Sequence, residues 1–491
     1  MSDILSTIVE KRKADIQRLG FTFGYDIPEE RQRPVHKLLT QKGVILEIKR
    51  ASPSKGDISP DLDAAQTARS YAQAGAAAIS CLTETNYFKG NLGDLMDVCN
   101  SIDHLEAKFG KTLPAILRKD FLLSPEEIEV SYRAGADAVL LIARILDTTT
   151  IVKMAQAAAI RGMTCLVEVR TDQDLNKLKA ITQVVECNYI VCGVNSRDLA
   201  TFKIDLLRPL LMFNKIQEIM NGDTRIVFES GVTNCECAKA VGALGFTGLL
   251  LGKAAAKNPD IRQGLVEAFT NSNASANSEF WKKYASEITQ SKKSLAKICG
   301  LTNMEDALLA QELGATFLGF IFADAFPRSV THEGRLEKLH PELDKLCAKK
   351  IAVIVNLDSE EAKTAIKYVS HGILDAIQFH KIPYESVSDE LLALPHFFAT
   401  DSLEEYEKLV SKGEFRVLFD SKGITQGKGM AQLNSLTYEL KWLAGGITPE
   451  NAPSLIEQYH PELIDVSGGI EDTGAPGIKN HTKLKKLMEE L

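Results

Sequence analysis

Charged side chains that could exchange protons stand at the ends of short apolar runs in the first half of the sequence. Glu47 and Lys49 close the run VILEIK, Lys119 lies in LPAILRKDF, and Glu168 lies in TCLVEV. Lysines and carboxylates gathered in one place can donate and accept protons during a reaction. Because such residues are rarely buried without a partner, a ring of purely structural ion pairs is the competing interpretation. Their repeated position at strand ends favours an acid–base site.

Glycines after the last two apolar runs of this half could bring backbone N–H groups close to an anion. Gly231 follows RIVFES and Gly252 follows GLLL. Such amides, together with the partial positive charge of a helix that begins there, favour a phosphate group. One glycine at a strand end is usually only a turn, but the second half of the sequence repeats the pair at Gly446 and Gly468. The repeat indicates one phosphate site in each half.

The elements that must position these residues are eight short apolar runs separated by segments with helical spacing. Near-continuous apolar runs are typical of parallel strands that are covered on both faces. Eight of them alternating with helices predict a (β/α)8 barrel. In such a barrel the chemistry lies at the carboxyl ends of the strands, and phosphate often binds after strands seven and eight. The runs are 44–49, 77–83, 113–121, 138–143, 164–169, 189–195, 225–231 and 248–253.

A second set of eight apolar runs follows, so the sequence predicts an α/β protein with two tandem (β/α)8 TIM barrels. A chain of 491 residues exceeds the size at which single cores stop growing, which agrees with two domains. The runs of the second set are 297–301, 317–322, 350–356, 376–380, 396–400, 415–421, 440–446 and 463–468.

The predicted domain boundaries follow from these runs. The first barrel spans 1–272, including an N-terminal helical extension over 1–42, and the second barrel spans 294–491. The intervening segment 273–293 is polar and rich in Ser and Asn, which is typical of a linker. Its aromatic residues could pack as a short helix between the barrels; they are Phe280, Trp281 and Tyr284.

Composition and charge argue against several classes of protein. A net charge of -8 disfavours a nucleic-acid surface, although a local site for a small anionic substrate remains compatible with it. No apolar run approaches the roughly 18 residues of a membrane helix, and the charged N-terminus lacks a signal-peptide core. Nine cysteines without C-x-x-C spacing indicate reduced thiols. We therefore expect a cytoplasmic protein that binds neither membranes nor nucleic acids.

Read together, the first-half motifs resemble those of the indole-3-glycerol-phosphate synthase family. ILEIKRASPSKG resembles the family's first-strand motif, LTETNYFKG its second loop, and LRKDF its third strand. LVEVRT, CGVNSRDL and FESGV resemble its fifth, sixth and seventh strands. The resemblance implies conversion of 1-(2-carboxyphenylamino)-1-deoxyribulose 5-phosphate into indole-3-glycerol phosphate, with release of carbon dioxide and water.

The resemblance also implies roles for the charged residues. Lys119 would be a general acid and Glu168 a general base or a stabiliser of positive charge. Lys49 would hold the substrate carboxylate or act as the second acid, and which lysine serves which step stays open. The expected substrate-binding residues are Glu47, Ser52, Lys55, Phe121, Asn195 and Arg197, and the expected phosphate-binding residues are Ser230, Gly231, Gly252 and Lys253.

Two parts of this assignment leave alternatives open. Ser52 and Lys55, in the SPSKG loop, belong either to a mobile segment that closes near the phosphate or to an exposed turn. Lys253 stands where the family usually has a small hydroxyl residue. A lysine there could supply a point charge to the phosphate or could point to solvent.

The second half resembles the phosphoribosylanthranilate isomerase family. KICGLTNMEDA is the most specific segment, and FPRSV, AIQFH, VLFDS, AGGIT and DVSGGIE follow in the family's order. The resemblance implies an Amadori rearrangement with Asp420 as the acid and Cys299 as the base. The acid needs a raised pKa, and the thiol needs a neighbouring cation or a helix N-terminus to ionise. The expected substrate-binding residues are Arg328, Gln378 and His380, and the expected phosphate-binding residues are Gly446, Ser467 and Gly468.

The second half departs from its family in two places. The usual QLHG is QFHK here, which puts Lys381 at the position of a glycine. The loop after Asp420 keeps Gly427 and Gly429 without the aromatic residue that usually follows. His380 is equally compatible with a substrate contact and with a satisfied core histidine.

Neither family implies a metal or an organic cofactor, and a fused chain with both barrels is expected to be a monomer that acts on small phosphorylated anions. A different enzyme on the same fold, such as a sugar-phosphate isomerase or an aldolase with a Schiff-base lysine, is one rival. A second rival is an active synthase with an isomerase-like barrel that has lost its activity and serves as a docking module.

Overall fold

The computed structural model describes residues 4–53, 56–109, 113–198, 201–290, 293–425, 433 and 435–491. The chain divides into two compact units, Met1–Asn273 and Ala274–Leu491. Each unit contains a closed barrel of eight strands, and neighbouring strands in both barrels run parallel. The predicted pair of (β/α)8 barrels is confirmed.

The first barrel closes where its first strand pairs with both its second and its eighth strand. Most of its strand residues are fully buried because helices cover the outer face. Its strands are β1 (Gly43–Ile48), β2 (Ala78–Leu82), β3 (Ala115–Lys119), β4 (Ala138–Ile142), β5 (Thr164–Val169), β6 (Ile190–Asn195), β7 (Ile226–Glu229) and β8 (Gly248–Leu251).

Helices alternate with these strands around the first barrel, as the helical spacing predicts. They are α1 (Ile4–Leu19), α2 (Ala64–Gln73), α3 (Leu92–Phe109), α4 (Pro125–Arg133), α5 (Thr148–Ile160), α6 (Asp172–Thr182), α7 (Arg208–Ile219), α8 (Cys235–Ala243), α9 (Lys253–Lys257) and α10 (Arg262–Thr270).

The N-terminal extension is helical over α1 only, so the prediction of a helical extension up to residue 42 is too long. Gly20, at φ +71°, follows the last helical residue, and Gly24 also has a positive φ. Glycine tolerates this conformation, which ends a helix. Pro28 and Pro34 lie further along, and the chain from residue 25 to β1 contains bends and irregular segments instead of helix.

An arginine of α1 joins the extension to the loop after β3. Arg12 contacts Asp120 at 3.1 Å and Glu127 at 2.5 Å, and all three side chains are buried. Asp120 also accepts hydrogen bonds from Thr83 and Arg118. Buried charges must be paired in this way to offset their desolvation. The network fixes the backbone immediately after Lys119.

The second barrel repeats the architecture, with its first strand paired to its second and eighth. Its strands are β9 (Leu295–Cys299), β10 (Phe317–Ile321), β11 (Lys349–Ile354), β12 (Ala376–His380), β13 (His396–Thr400), β14 (Val417–Asp420), β15 (Trp442–Ala444) and β16 (Leu463–Val466). Its helices are α11 (Ala276–Gln290), α12 (Met304–Glu312), α13 (Arg335–Leu339), α14 (Glu360–Ser370), α15 (Asp389–Ala393), α16 (Leu403–Ser411), α17 (Lys422–Thr425), α18 (Ala452–Tyr459) and α19 (His481–Glu490).

Helix α11 lies within the segment 273–293 and belongs to the second unit. Trp281 and Tyr284 are fully buried against Trp442, with ring centroids 5.7 and 5.3 Å apart. Tyr284 Oη also donates to Glu462 at 2.7 Å. Trp442 and Phe317, which α11 contacts, begin their strands, so the helix closes the amino-terminal end of this barrel. Most of the segment between the barrels is thus a packed helix.

Among the described residues, no helix is long and apolar enough to cross a membrane.

Candidate active sites

A chain of charged side chains crosses the carboxyl-terminal mouth of the first barrel. Lys119 Nζ donates to Glu229 at 2.8 Å and lies 3.9 Å from Glu47, which accepts from Lys49 Nζ at 3.1 Å. The two glutamates are almost fully buried, while both lysines keep part of their side chains exposed. The flanking carboxylates raise the pKa of Lys119 and keep it charged. Two ammonium groups therefore face the pocket on a carboxylate floor.

Glu168, at the end of β5, is a carboxylate whose ionisation is opposed by its surroundings. Burial and the charge of Glu229 raise the pKa of Glu168 to about 8, although Lys119 acts against both. A carboxyl group with this pKa exchanges protons near neutral pH, as a general acid or base must. The charge of Lys119 also acts on Glu168, so the predicted acid and the predicted base are neighbours at this mouth.

Gly193 on β6 leaves the space that Glu229 occupies. A Cβ atom at this position would stand 2.1 Å from Glu229 Oε1. Among the described residues, no donor hydrogen-bonds this buried oxygen. An unsatisfied buried acceptor is costly, so Oε1 is available to a hydroxyl or ammonium donor of a bound molecule.

Three further predicted substrate-binding residues follow strands of the same barrel or end one: Asn195, Arg197 and Phe121. Asn195 ends β6, and its Oδ1 accepts from Arg197 N at 3.0 Å, while Arg197 donates to the carbonyl of Phe202. Phe121 is buried beside Phe88, whose ring lies 5.1 Å from Lys49 Nζ. An apolar wall beside the charged floor suits an aromatic ring that carries a carboxylate.

The SPSKG loop after β1 is only partly described. Ser52 is mostly buried and pairs with Gly56 in a two-stranded antiparallel ribbon. Lys55 lies outside the described residues.

Turns after β7 and β8 carry the predicted phosphate residues of the first barrel. Ser230 and Gly231 both have positive φ, at 69° and 86°. Gly252 has no room for a side chain, because a Cβ atom would stand 2.9 Å from Glu47 Oε1. Lys253 is exposed and begins α9. The turn after β8 thus lies beside Glu47, whereas Gly231 packs against Ser196, Ile204 and Leu206.

Cys299 ends β9 at the mouth of the second barrel, directly above a buried lysine. Lys297 is on the same face of the strand because side chains alternate. Its Nζ donates to Asp465 at 2.8 Å, and all three side chains are buried. Gly319 on β10 provides the space: its Cβ would stand 2.7 Å from the Cys299 sulfur and 3.1 Å from Lys297 Nζ. The thiol and the ammonium group are close neighbours.

Asp420 ends β14, and its burial favours the protonated form of the carboxyl group. Burial raises the pKa of Asp420, and the charges of Lys297 and Lys381 act against it. Cys299 is also within the field of Lys297, so the predicted acid and base lie near the same buried ion pair. Asp465, the partner of Lys297, likewise has a pKa raised by burial.

One side chain of β12 and one of β16 each carry a buried oxygen atom that receives no hydrogen bond from a described residue. Gln378 Oε1 and Asp465 Oδ1 are buried, and no described residue hydrogen-bonds either atom. Burial and the charge of Lys381 lower the pKa of His380, so its imidazole is neutral at pH 7. Lys381 itself has φ +55°, as a glycine would, and pairs with Asp401 at 2.6 Å.

Arg328, which is predicted to bind the substrate carboxylate, is held in place by Glu471. Its Nε and one terminal nitrogen donate to Glu471 at 2.9 and 2.6 Å. Lys479, fully buried, donates to Glu471 at 2.7 Å and to the Cys299 carbonyl at 2.7 Å. A Cβ on Gly468 would stand 2.9 Å from Arg328. Arg328 is therefore fixed between β9, which carries Cys299, and the predicted phosphate-binding turn at Gly468.

The turns after β15 and β16 pack on one another. Gly446 has φ +71°, and Ser467 follows β16 and precedes Gly468. A Cβ on the next residue, Gly469, would stand 1.8 Å from the Ile447 carbonyl oxygen. Only a glycine allows this approach, which brings both predicted phosphate turns together. Gly427 and Gly429, in the loop after Asp420, lie outside the described residues.

Comparison with known families decides which barrels these are. The family described as indole-3-glycerol phosphate synthase matches residues 5–267, more than half of the chain. The family described as N-(5'phosphoribosyl)anthranilate (PRA) isomerase matches residues 296–490. The chain belongs to the indole-3-glycerol phosphate synthase family, and a domain that matches the isomerase family follows in tandem.

Relatives include proteins that carry one or both of these units. A tryptophan biosynthesis protein TrpCF of Helicobacter pylori is 26% identical, and the match covers 100% of this chain and 99% of that protein. An indole-3-glycerol phosphate synthase of Desulforamulus reducens is 35% identical, over 54% of this chain and 96% of its own length. A multifunctional tryptophan biosynthesis protein of Schizosaccharomyces pombe is 27% identical, over 92% of this chain. This chain spans 60% of that last protein.

The structure adds residues that sequence reasoning left out of both halves. In the synthase half Glu229 holds Lys119, and its signal was a glutamate at a strand end, immediately before the predicted phosphate turn. In the isomerase half four residues are added: Lys297, Asp465, Glu471 and Lys479. Lys297 was visible as a charge inside an apolar strand, two residues before Cys299. Among the described residues, no cluster of His, Cys, Asp or Glu is arranged as a metal site.

Proposed function

We propose that this chain catalyses two consecutive steps of tryptophan biosynthesis, the isomerase reaction in the second barrel and the synthase reaction in the first. The observation that carries the proposal is the same in both barrels. Proton donors and acceptors gather at the carboxyl ends of the strands, next to glycine turns after strands seven and eight. Family membership in both halves supports the two activities.

In the isomerase step, Asp420 and Cys299 act on N-(5'-phosphoribosyl)anthranilate. Asp420, with its raised pKa, donates a proton to the furanose ring oxygen, and the ring opens to an iminium ion. Cys299, as a thiolate, removes the C2′ proton, and the resulting enolamine tautomerises to the aminoketose. Arg328, whose Nε and one terminal nitrogen bind Glu471, offers its remaining N–H groups to the anthranilate carboxylate. Gln378 and His380 contact the sugar, where Gln378 Oε1 can accept a hydroxyl proton.

In the synthase step, the aminoketose closes its new carbon–carbon bond and loses carbon dioxide and water. Lys119 donates a proton to the ketone oxygen as charge develops there. Glu168 accepts a proton or stabilises positive charge as water leaves. Lys49 holds the carboxylate or supplies the second proton. Glu47, Asn195 and Glu229 bind substrate hydroxyls and keep the lysines in place, and Phe121, Ser52, Lys55 and Arg197 complete the pocket.

The phosphate of each substrate binds to the turns after the last two strands. In the synthase barrel these are the backbone groups of Ser230, Gly231 and Gly252, with Lys253 as an exposed cation next to them. In the isomerase barrel they are Gly446, Ser467 and Gly468. Main-chain amides suit a phosphate dianion because they donate without adding flexible side chains.

The protein is further proposed to be a cytoplasmic monomer. Both activities reside in one chain, and no described helix suits a membrane span. Light scattering of the purified protein tests the oligomeric state, and a mass near twice 53.9 kDa would contradict the monomer.

The experiment that tests the proposed function supplies each substrate separately to the purified chain. We expect phosphoribosylanthranilate to be consumed and the aminoketose to yield indole-3-glycerol phosphate, each followed by fluorescence. Turnover of the aminoketose alone would leave the isomerase half as a docking module. Borohydride trapping with substrate separates the proposal from an aldolase, because the synthase step leaves no reducible imine on Lys49 or Lys119.

A further inference from the structure

The thiol of Cys299, in the proposed isomerase site, lies next to the buried ammonium group of Lys297. Lys297 and Cys299 point into the barrel from the same strand, two residues apart. Lys297 is fully buried, and Gly319 on the neighbouring strand is the residue that leaves room for both side chains. A buried lysine costs free energy unless it is paired, so its position beside a thiol requires a reason.

We propose that Lys297 is a positioning residue for the isomerase reaction, which holds a positive charge against Cys299 so that the thiol ionises and can remove the C2′ proton. The inference rests on the proposed function of this barrel. Lys297 does not take the proton itself, because its ammonium group stays charged throughout. The C2′–H bond breaks, the S–H bond forms, and the electron pair moves to the iminium nitrogen.

Burial works against this ionisation, as a second cysteine of the same chain illustrates. Cys165 lies in β5 of the first barrel, and burial raises the pKa of its thiol to about 12. Burial also raises the pKa of Cys299, and although the charge of Lys297 and a hydrogen bond from it offset part of this rise, the pKa stays above its ordinary value. The lysine ammonium is thus what distinguishes the environment of Cys299 from that of an inert core thiol.

Other charges around the thiol set how strongly Lys297 acts. Asp465, on β16, pairs with Lys297 and raises the pKa of Cys299. Lys479, which donates to the Cys299 carbonyl at 2.7 Å, lowers it, and Arg328 also interacts with the thiol. Asp420 and His380 act electrostatically on Asp465, the partner of Lys297. Asp465 therefore moderates the cation, while Lys479 adds to it.

This arrangement predicts opposite effects for the two members of the ion pair. Lys297→Met removes the cation and should raise the pH midpoint of Cys299 ionisation by at least about one unit. Asp465→Asn leaves the cation without its counter-charge and should lower the midpoint. Lys297→Arg keeps the charge and should lie near the parent value. A pair that only stabilises the barrel would not shift the thiol in opposite directions.

The experiment measures alkylation of Cys299 by iodoacetamide over a series of pH values in the full chain. Peptide-resolved mass spectrometry isolates Cys299 from the eight other cysteines, and the partly exposed Cys187 of the first barrel serves as the internal control that should not move. If Lys297→Met fails to fold, the double variant Lys297→Met with Asp465→Asn removes both charges and carries the test. Its midpoint should also lie above that of the parent.

Equal midpoints in the parent, Lys297→Met or its double variant, and Asp465→Asn would overturn the proposal. The readout is independent of turnover, so its failure differs from a failure of the proposed function. A chain that shows the two opposite shifts but no isomerase turnover would keep the electrostatic coupling between Lys297 and Cys299 and refute the function. Normal isomerase turnover with unshifted midpoints would keep the proposed function and refute the role of Lys297.

Discussion

At the residue scale, two glycines within barrel strands leave space for the atoms that the proposed chemistry needs. Gly193 lies beside Glu229 Oε1, and Gly319 lies between Cys299 and Lys297. Both glycines occupy ordinary strand conformations, so conformational freedom is not the reason for them. Because glycine has no Cβ, each of them leaves space for the functional side chain of a neighbouring strand inside the barrel.

Alanine at each of these positions should disable one barrel and spare the other. Gly193→Ala forces Glu229 away from Lys119, and Gly319→Ala separates Cys299 from Lys297. A displacement of about 1 Å in a catalytic group costs on the order of 100-fold in rate, so we expect losses of at least that size. Steady-state assays of both reactions on each variant check this, and each variant serves as the other's control. A Gly319→Ala protein with full isomerase activity would contradict the described geometry.

The pH dependence of the synthase reaction should follow the ionisation of Glu168. A raised pKa, about 8, means that most of this carboxyl is protonated at pH 7, and the ionised form is the one proposed to act. The rate should therefore rise with pH through this range. Glu229→Gln removes the charge that helps raise the pKa, so the midpoint of kcat/KM should fall by about one unit, whatever the loss in maximal rate.

A matched control for this measurement is Glu129→Gln, which removes a surface carboxylate paired with Arg161. Exposed pairs have weak effects at a distance because solvent screens them. The control should keep the parent midpoint. If the midpoint of kcat/KM in Glu229→Gln stays at the parent value, the ionisation that controls the rate is not that of Glu168.

Motifs made the mouth residues predictable, whereas their buried partners were not. Lys119, Glu168, Cys299 and Asp420 stand at strand ends within recognisable segments, and the structure puts them at the barrel mouths. Glu229 and the other added residues are defined by the side chains they meet across neighbouring strands. Such partners depend on the register between strands, which a single sequence does not display.

At the element scale, the strands were predictable because each is a short apolar run bounded by polar turns. All sixteen predicted runs overlap the observed strands, and boundaries differ by only a few residues. Helix α11 was harder to predict because its Ser- and Asn-rich surroundings are typical of a linker. Its aromatic residues are spaced on one helical face, but only the barrel end against which they pack explains their burial.

Helix α11 should contribute to the stability of the second barrel although it lies away from the active site. Trp281→Ala removes a fully buried ring from a cluster of aromatic side chains and should cost about 3–5 kcal/mol. The chain contains two tryptophans, both in this unit, so fluorescence of Trp442 reports the unfolding of the second barrel in denaturant. Ile160→Ala, at an 83% exposed position, is the control and should leave the unfolding midpoint unchanged.

At the scale of the whole molecule, the two compact units predict independent folding. A fragment of residues 1–273 should retain the synthase activity, and a fragment of residues 274–491 should retain the isomerase activity. A fragment that starts at residue 293 lacks α11 and should lose stability by an amount comparable to the loss of a core element. Circular dichroism and both assays on the three fragments check these outcomes, and an inactive 1–273 fragment would argue against two self-sufficient units.

If one chain holds two separate acid–base sites that act in sequence, variants that each lack one site should complement one another. Phosphoribosylanthranilate is supplied to Lys119→Ala, to Cys299→Ala and to an equal mixture of the two, and indole-3-glycerol phosphate is followed. We predict that the Lys119 variant accumulates the aminoketose and that the Cys299 variant leaves the substrate untouched. The mixture should form the final product. Loss of both reactions in either folded variant, or a mixture that makes no product, would contradict the account.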